Sequence, residues 1–254
     1  MINFLYMKKI QNIYDNSQFY GEYAKMRESN LNANELIEIP TIKKMLPDVL
    51  DKKILDIGCG AGGMSRFFSK HGAKYVLGID ISKNMINQAK SHKSKNIDYK
   101  IMQMEELDTL NQKFDLIFSS LAFHYVKDFK KLIKDCSNLL NPNGILLFSQ
   151  EHPIATAPIM YNDTKYIELG GKRYYLVSDY NSNTKRSVTW NNKKVIKYHR
   201  NFSTIINTLI EENFEIKQIK EAKPTKRAIS LVPKYAYQND RPYFLFVKAQ
   251  KNKE

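Results

Sequence analysis

The sequence predicts an α/β protein: a doubly wound, mostly parallel seven-stranded sheet with helices on both faces and a smaller insertion after the fifth strand. Three observations predict it. Short β-type runs alternate with helix-type segments from residue 53 to 150, the rhythm of βαβ units. The first run ends in a cluster of glycines that opens a helix. After residue 200 the rhythm returns, beyond a polar, aromatic stretch that lacks either period.

Taken in order, residues 19–27 and 35–45 have helical spacing, separated by polar residues 28–34 and stopped by Leu46-Pro47-Asp48. Residues 53–57 form a buried-type strand, and a helix follows over 64–70. Residues 75–79 repeat the strand pattern, and Ser82 stands as the N-cap of a helix running to Lys90. Residues 98–102, 114–118 and 144–149 read as further strands, with a helix over 128–140 closed by Asn141-Pro142-Asn143-Gly144. Runs apolar throughout suit a parallel sheet covered on both faces. Residues 155–198 carry short β-type runs near 174–177 and 195–198. An amphipathic helix over 203–212 and strands over 214–219 and 243–249 complete the count of seven. The expected organisation is a helical cap over 1–50, a core over 51–150, an insertion forming a lid over 151–200 and a C-terminal completion over 201–254.

Composition narrows the class. In 254 residues, 43% are hydrophobic and 26% charged, enough apolar material for a large core and too regular for disorder or collagen. No apolar run reaches the roughly 18 residues of a membrane span. The apolar run 1–6 precedes Lys8 and Lys9, the reverse of a secretory leader. With only Cys59 and Cys136, neither near a metal-ligating spacing, the expectation is a soluble, reduced, cytoplasmic protein without a metal. The formal charge of +14 comes mainly from Lys, 33 against 7 Arg, scattered in pairs. Bidentate phosphate recognition favours Arg, so a solvated surface is preferred over a nucleic-acid groove.

The strongest signal is Ile54-Leu55-Asp56-Ile57-Gly58-Cys59-Gly60-Ala61-Gly62-Gly63. Glycines between a strand and a helix bring bare N–H groups within reach of a ligand. Gly58, Gly60 and Gly63 also satisfy dinucleotide spacing, which leaves a nicotinamide or flavin ligand as the rival. Asp56 argues against it, because a carboxylate beside a pyrophosphate is repelled, whereas a cation is attracted. Asp80, at the end of the second strand, is placed to accept hydrogen bonds from a ribose.

With those residues in hand, the chain resembles the class I S-adenosylmethionine-dependent methyltransferases, a Rossmann-like family, and in particular its small-molecule branch. The likeness runs over residues 20–150: Leu55 to Gly62, Gly78-Ile79-Asp80-Ile81-Ser82 with Met85, Phe114 to Ser120, and Leu140 to Phe148. It implies S-adenosylmethionine as cofactor and S-adenosylhomocysteine as product. Asp56, Gly58, Cys59 and Gly60 would surround the methionine part, Asp80 the ribose, and Ile81 and Met85 the adenine. Met104 and Glu105 would reach the adenine edge, and Gln103 departs from the acidic residue common there. Ser119 and Ser120 would meet the amino-acid end through their backbone. The first helix, with Tyr20, Tyr23 and Arg27, would cover the cofactor, Arg27 facing its carboxylate. Cys59 is read as a small packing residue between glycines.

The acceptor side is read from the strand ends. His124, after the fourth strand, is either a general base or a wall of the cofactor pocket. Glu151 and His152, directly after the fifth strand, are either catalytic or part of a loop made rigid by Pro153. Trp190, Tyr198, His199 and Arg200 either contact a small planar or anionic acceptor or pack the insertion; the family's small-molecule branch is similar in its Glu-His-Pro-Ile and Tyr-His-Arg runs. The expected reaction is in-line methyl displacement to an oxygen or nitrogen of a small molecule. The rivals are an RNA-directed methyltransferase and a non-catalytic cofactor-binding protein. No Asn-Pro-Pro-Tyr run follows the fourth strand, where Ser119-Ser120-Leu121-Ala122 stands, so base-amino methylation lacks its signature.

Overall fold

In the computed structural model, residues 11–92, 94–159, 166–190 and 193–253 are described. The apolar run 1–6 and Lys8 and Lys9 lie outside them.

The main sheet has seven strands: β1 (Lys53–Ile57), β2 (Tyr75–Asp80), β3 (Ile97–Ile101), β4 (Phe114–Ser120), β5 (Leu140–Glu151), β10 (Phe214–Glu221) and β11 (Phe244–Lys251). Their order is β10-β11-β5-β4-β1-β2-β3. The strands from β3 to β5 run parallel, and β11 enters antiparallel between β5 and β10. β5 starts at Leu140, earlier than predicted. It pairs Leu140 with Phe114 and then shifts register, so the Asn-Pro-Asn-Gly segment belongs to the strand, not to a helix stop.

Side-chain alternation builds two cores. Leu55, Ile57, Ile117, Phe148 and Val247 face α5 (Phe129–Leu139) and α7 (Phe202–Glu211). Ile54, Leu116, Phe118, Leu147 and Phe246 face α2 (Ile39–Lys43), α3 (Gly63–Lys70) and α8 (Lys226–Leu231). The side-chain oxygen of Ser82 accepts the Met85 N–H and caps α4 (Lys83–Lys90), as its position predicts.

Before the sheet lies α1 (Ser17–Glu28). The predicted second helix is divided: a widened turn over Asn34–Glu38 passes into α2, where Pro40 lacks the N–H that a regular helix would use. After β5 come a one-turn helix, α6 (Pro153–Thr156), and two hairpins, β6 (Tyr166–Leu169) with β7 (Lys172–Tyr175), and β8 (Lys185–Trp190) with β9 (Lys193–Tyr198). Buried Arg186 ties this insertion together, donating to the carbonyls of Ala157, Asp179, Ser182 and Thr184.

Candidate functional site

The chain leaves β1 at the centre of the sheet, turns outward through β2 and β3, and returns on the other side at β4. That reversal opens a crevice above the carboxyl ends of β1 and β4. The glycine turn fills its floor. Gly58, Gly60 and Gly62 all have left-handed φ, of 69°, 53° and 77°. A Cβ on Gly58 would lie 2.6 Å from the Ala122 Cβ, whereas one on Gly60 would meet nothing within 4 Å. Gly60 thus presents open backbone to the crevice.

Two carboxylates flank the turn. Asp80 accepts the Gly60 N–H at 2.9 Å and the Ser82 N–H at 2.8 Å, which aims it across the crevice. Burial raises its pKa, partly offset by those two donors. Asp56 is buried and accepts the Ser65 hydroxyl at 2.6 Å. Burial pushes its carboxyl up to about 7, with Asp80 adding to the rise. The residue expected to attract a cation is therefore only partly ionised at neutral pH without one.

Above the turn is a cavity of about 1350 Å³. On one side it is lined by Asp56, Gly58, Cys59 and Gly60, by Asp80, Ile81 and Met85, and by Gln103, Met104 and Glu105. Tyr20, Tyr23 and Arg27 of α1 form part of its roof, Tyr20 donating to Gln88 and Arg27 paired with Glu35 at 3.2 Å. Asp15 straps the roof to the rim, accepting the Ser82 hydroxyl at 2.6 Å and the Asn84 N–H at 3.1 Å. Ser120 reaches the cavity. Ser119 is not among its lining residues, because its hydroxyl is buried and donates to the Ile57 carbonyl.

On the acceptor side the cavity gathers His124, Glu151, Trp190 and Tyr198. The Trp190 ring packs edge-on against Phe19 and Tyr23, joining the β8–β9 hairpin to α1. Glu151 Oε1 accepts from Lys197 Nζ at 2.5 Å and from the Tyr243 hydroxyl at 3.4 Å. Burial opposes ionisation of Glu151, yet the charge and hydrogen bond of Lys197, with the Tyr243 hydroxyl, hold its carboxyl below the ordinary range. His124 Nδ1 accepts the Glu151 N–H at 3.4 Å, and burial pushes its pKa down to about 3, so the ring is neutral.

Three residues expected on this side face elsewhere. His152 is absent from the cavity wall. Its Nδ1 accepts the Ile154 N–H to cap α6, and its Nε2 meets Glu221 at 2.7 Å. His199 is held between the Thr156 hydroxyl and the Tyr180 carbonyl, both at 2.8 Å. Arg200 donates to the carbonyls of Val126, Lys127 and Tyr198 and lies over the Phe129 ring. Each fixes a loop to the body of the protein.

Sequence reasoning missed Lys197, Tyr14, Tyr125 and Tyr243, all on the cavity wall. Lys197 left a signal. In β9 it shares a face with buried Val195, and a lysine on the buried side of a strand requires a carboxylate partner.

The residues fit the cofactor: a glycine cradle open at Gly60, an aimed Asp80 and apolar Ile81 and Met85 in one wall. The family model for a methyltransferase domain matches residues 55–148. A solved structure, an S-adenosylmethionine-dependent methyltransferase from Mesorhizobium loti, is 35% identical, with a TM-score of 0.78 over 87% of this chain and 98% of that one. The chain belongs to the S-adenosylmethionine-dependent methyltransferases. S-adenosylmethionine is the cofactor of this methyltransferase. An uncharacterised protein of Haemophilus influenzae is 34% identical over 94% of this chain and 96% of its own length. A ubiquinone biosynthesis O-methyltransferase of Coxiella burnetii is 40% identical, but the match covers 39% of the methyltransferase and 43% of that protein. Among the described residues, no helix is long and apolar enough to cross a membrane.

Proposed function

We propose that this methyltransferase transfers a methyl group to an oxygen or nitrogen of a small molecule held between the β8–β9 hairpin and the carboxyl edge of the sheet. The observation that carries the reading is the size and cover of the cavity. Pockets for a single small ligand measure about 300–1000 Å³, so a roofed space of about 1350 Å³ has room for the cofactor and a second molecule. The roof of α1 and Trp190 suits an enclosed acceptor better than a nucleic-acid strand.

In this reading Asp80 accepts the ribose hydroxyls, Asp56 and the glycine turn face the methionine part, and Ile81 and Met85 hold the adenine between them. Met104 and Glu105 lie at the adenine edge, and Arg27 exchanges Glu35 for the cofactor carboxylate. Bound S-adenosylmethionine supplies a methyl group on a positively charged sulfur that departs as a neutral thioether. The chain's own work is then to align the acceptor, exclude water and remove a proton. Tyr14, Tyr23 and Trp190 wall off solvent. Glu151 Oε1 is held by Lys197 and Tyr243, which leaves Oε2 to accept a hydrogen bond from the acceptor and take its proton. Neutral His124, whose Nδ1 already accepts the Glu151 N–H, offers Nε2–H as a donor. We read the chain with the same division as expected from the sequence, into cap, core, lid and C-terminal completion, and the free Cys59 and Cys136 suit a reduced cytoplasm.

The test is methyl transfer from labelled S-adenosylmethionine to a panel of hydroxylated and amino aromatic compounds, chosen after the O-methyltransferase relative, beside a panel of RNAs. Turnover of a small molecule that Glu151→Gln lowers at least tenfold is expected. Turnover of RNA alone would overturn the reading.

A further inference from the structure

Glu38 is wholly buried, in the widened turn before α2, and plays no part in the reaction proposed above. Its Oε1 accepts two hydroxyls, from Ser120 at 3.0 Å and Ser149 at 2.5 Å, and its Oε2 accepts the Asn34 amide at 3.2 Å. Ser120 ends β4, and Ser149 lies near the carboxyl end of β5. A serine hydroxyl has one proton, and with that proton on Glu38 the Ser149 oxygen presents its lone pairs elsewhere. They receive the Leu121 N–H at 3.1 Å, which also donates to the Ser149 carbonyl at 3.0 Å.

Leu121 needs such holding. Its φ of 54° lies in the left-handed region that a leucine rarely adopts. The next residue, Ala122, is the one a Cβ on Gly58 would strike, so the Ser120–Ala122 turn and the glycine turn are packed together. All three residues of that turn line the cavity with Gly58, whereas Glu38 does not.

We propose that Glu38 is a positioning residue for the cofactor site: acting through Ser149, it locks the strained Ser120–Ala122 turn against the glycine turn, and so sets cofactor affinity without touching the cofactor. The inference rests on the reading that the methionine part of the cofactor lies on the glycine turn. Burial pushes Glu38 up to about 7, Ser149 and Ser120 opposing the rise, so a neutral acceptor at this position loses little.

The test is calorimetric titration of the full chain with S-adenosylhomocysteine. Glu38→Gln keeps a carbonyl oxygen for both hydroxyls, and its Kd is expected to stay within about threefold of the parent. Glu38→Met fills the same space without an acceptor, and its Kd is expected to rise about tenfold or more with stoichiometry near one. Ser149→Ala, which removes the hydroxyl link between Glu38 and Leu121 while keeping Glu38 and the Ser149 carbonyl, is expected to weaken binding likewise if Glu38→Met does not fold. A merely structural role would lower the melting temperature and the competent fraction while leaving Kd unchanged, and that result overturns the proposal. Equal weakening by Gln and Met overturns it too. Parent protein that takes up no S-adenosylhomocysteine overturns the underlying reading of the glycine turn and this inference with it; parent binding that no variant weakens overturns this inference alone.

Discussion

Lys197 Nζ lies 2.5 Å from Glu151 Oε1, and this pair joins the β8–β9 hairpin to the end of β5 inside the cavity wall. Both side chains are largely buried, so removing one strands the other's charge in a poorly solvated place. Such losses cost about 3–5 kcal/mol. Lys197→Met should destabilise the protein on that scale in urea denaturation, and Lys197→Met with Glu151→Gln should recover at least half of the loss. Equal stability of the single and double variants would show that the pair does not couple lid to core.

Asp56 makes a prediction with a sign. Its carboxyl sits near 7 because burial disfavours the charge. A cationic ligand favours the ionised form, so binding below about pH 7 must first remove a proton. Affinity for S-adenosylmethionine should fall as pH drops from 8 to 6 and level off above 8. Asp56→Asn should abolish most of that dependence and weaken binding. It should also raise the melting temperature of the ligand-free protein more at pH 8, where the parent carries the buried charge, than at pH 6. Calorimetry across pH and thermal scans at both values check this.

How much of this was legible follows from burial. The central strands of the main sheet read clearly because parallel strands covered on both faces are apolar throughout, as in Ile54 to Ile57, where Asp56 alone interrupts, while the edge strands β3 and β10 mix polar with apolar residues. Ser82 announced its helix by capping chemistry, whereas Asp128, read as the first residue of its helix, is that helix's N-cap. The insertion showed only one strand of each hairpin, the runs near 174–177 and 195–198 that overlap β7 and β9, because β6 and β7 are largely exposed and mix polar with aromatic residues. Gly170-Gly171 between them was the one turn signal. α8 is six residues, too short for its period to stand out. At the site, residue type and position on the sheet edge located the glycine turn and Glu151. They did not tell that Tyr198 faces the cavity and its neighbours His199 and Arg200 do not, since that depends on how the strand β9 ends.

Arg200 sharpens that point. Its guanidinium donates to the carbonyls of Val126, Lys127 and Tyr198, and it is absent from the cavity wall. A lysine cannot serve three carbonyls from one planar fork. Arg200→Lys should lower stability by about 1–3 kcal/mol, as expected for broken buried hydrogen bonds, while leaving the Kd for S-adenosylhomocysteine unchanged. A large change in Kd without loss of stability would return Arg200 to the ligand site.

The two glycines of the turn should fail in different ways. Both have left-handed φ, so alanine at either position carries backbone strain of about 1–2 kcal/mol. At Gly58 the new methyl also meets the Ala122 Cβ at 2.6 Å, a contact that forces the two turns apart. At Gly60 the methyl enters open space, and that space belongs to the cavity. Gly58→Ala should therefore lower the melting temperature more than Gly60→Ala does. Gly60→Ala should keep most of its stability and still lose binding of S-adenosylhomocysteine by at least tenfold, because its methyl occupies the position where the ligand meets the backbone. Thermal scans and calorimetry on the two variants separate strain from obstruction. Undiminished binding by Gly60→Ala would mean that the ligand does not lie on the turn.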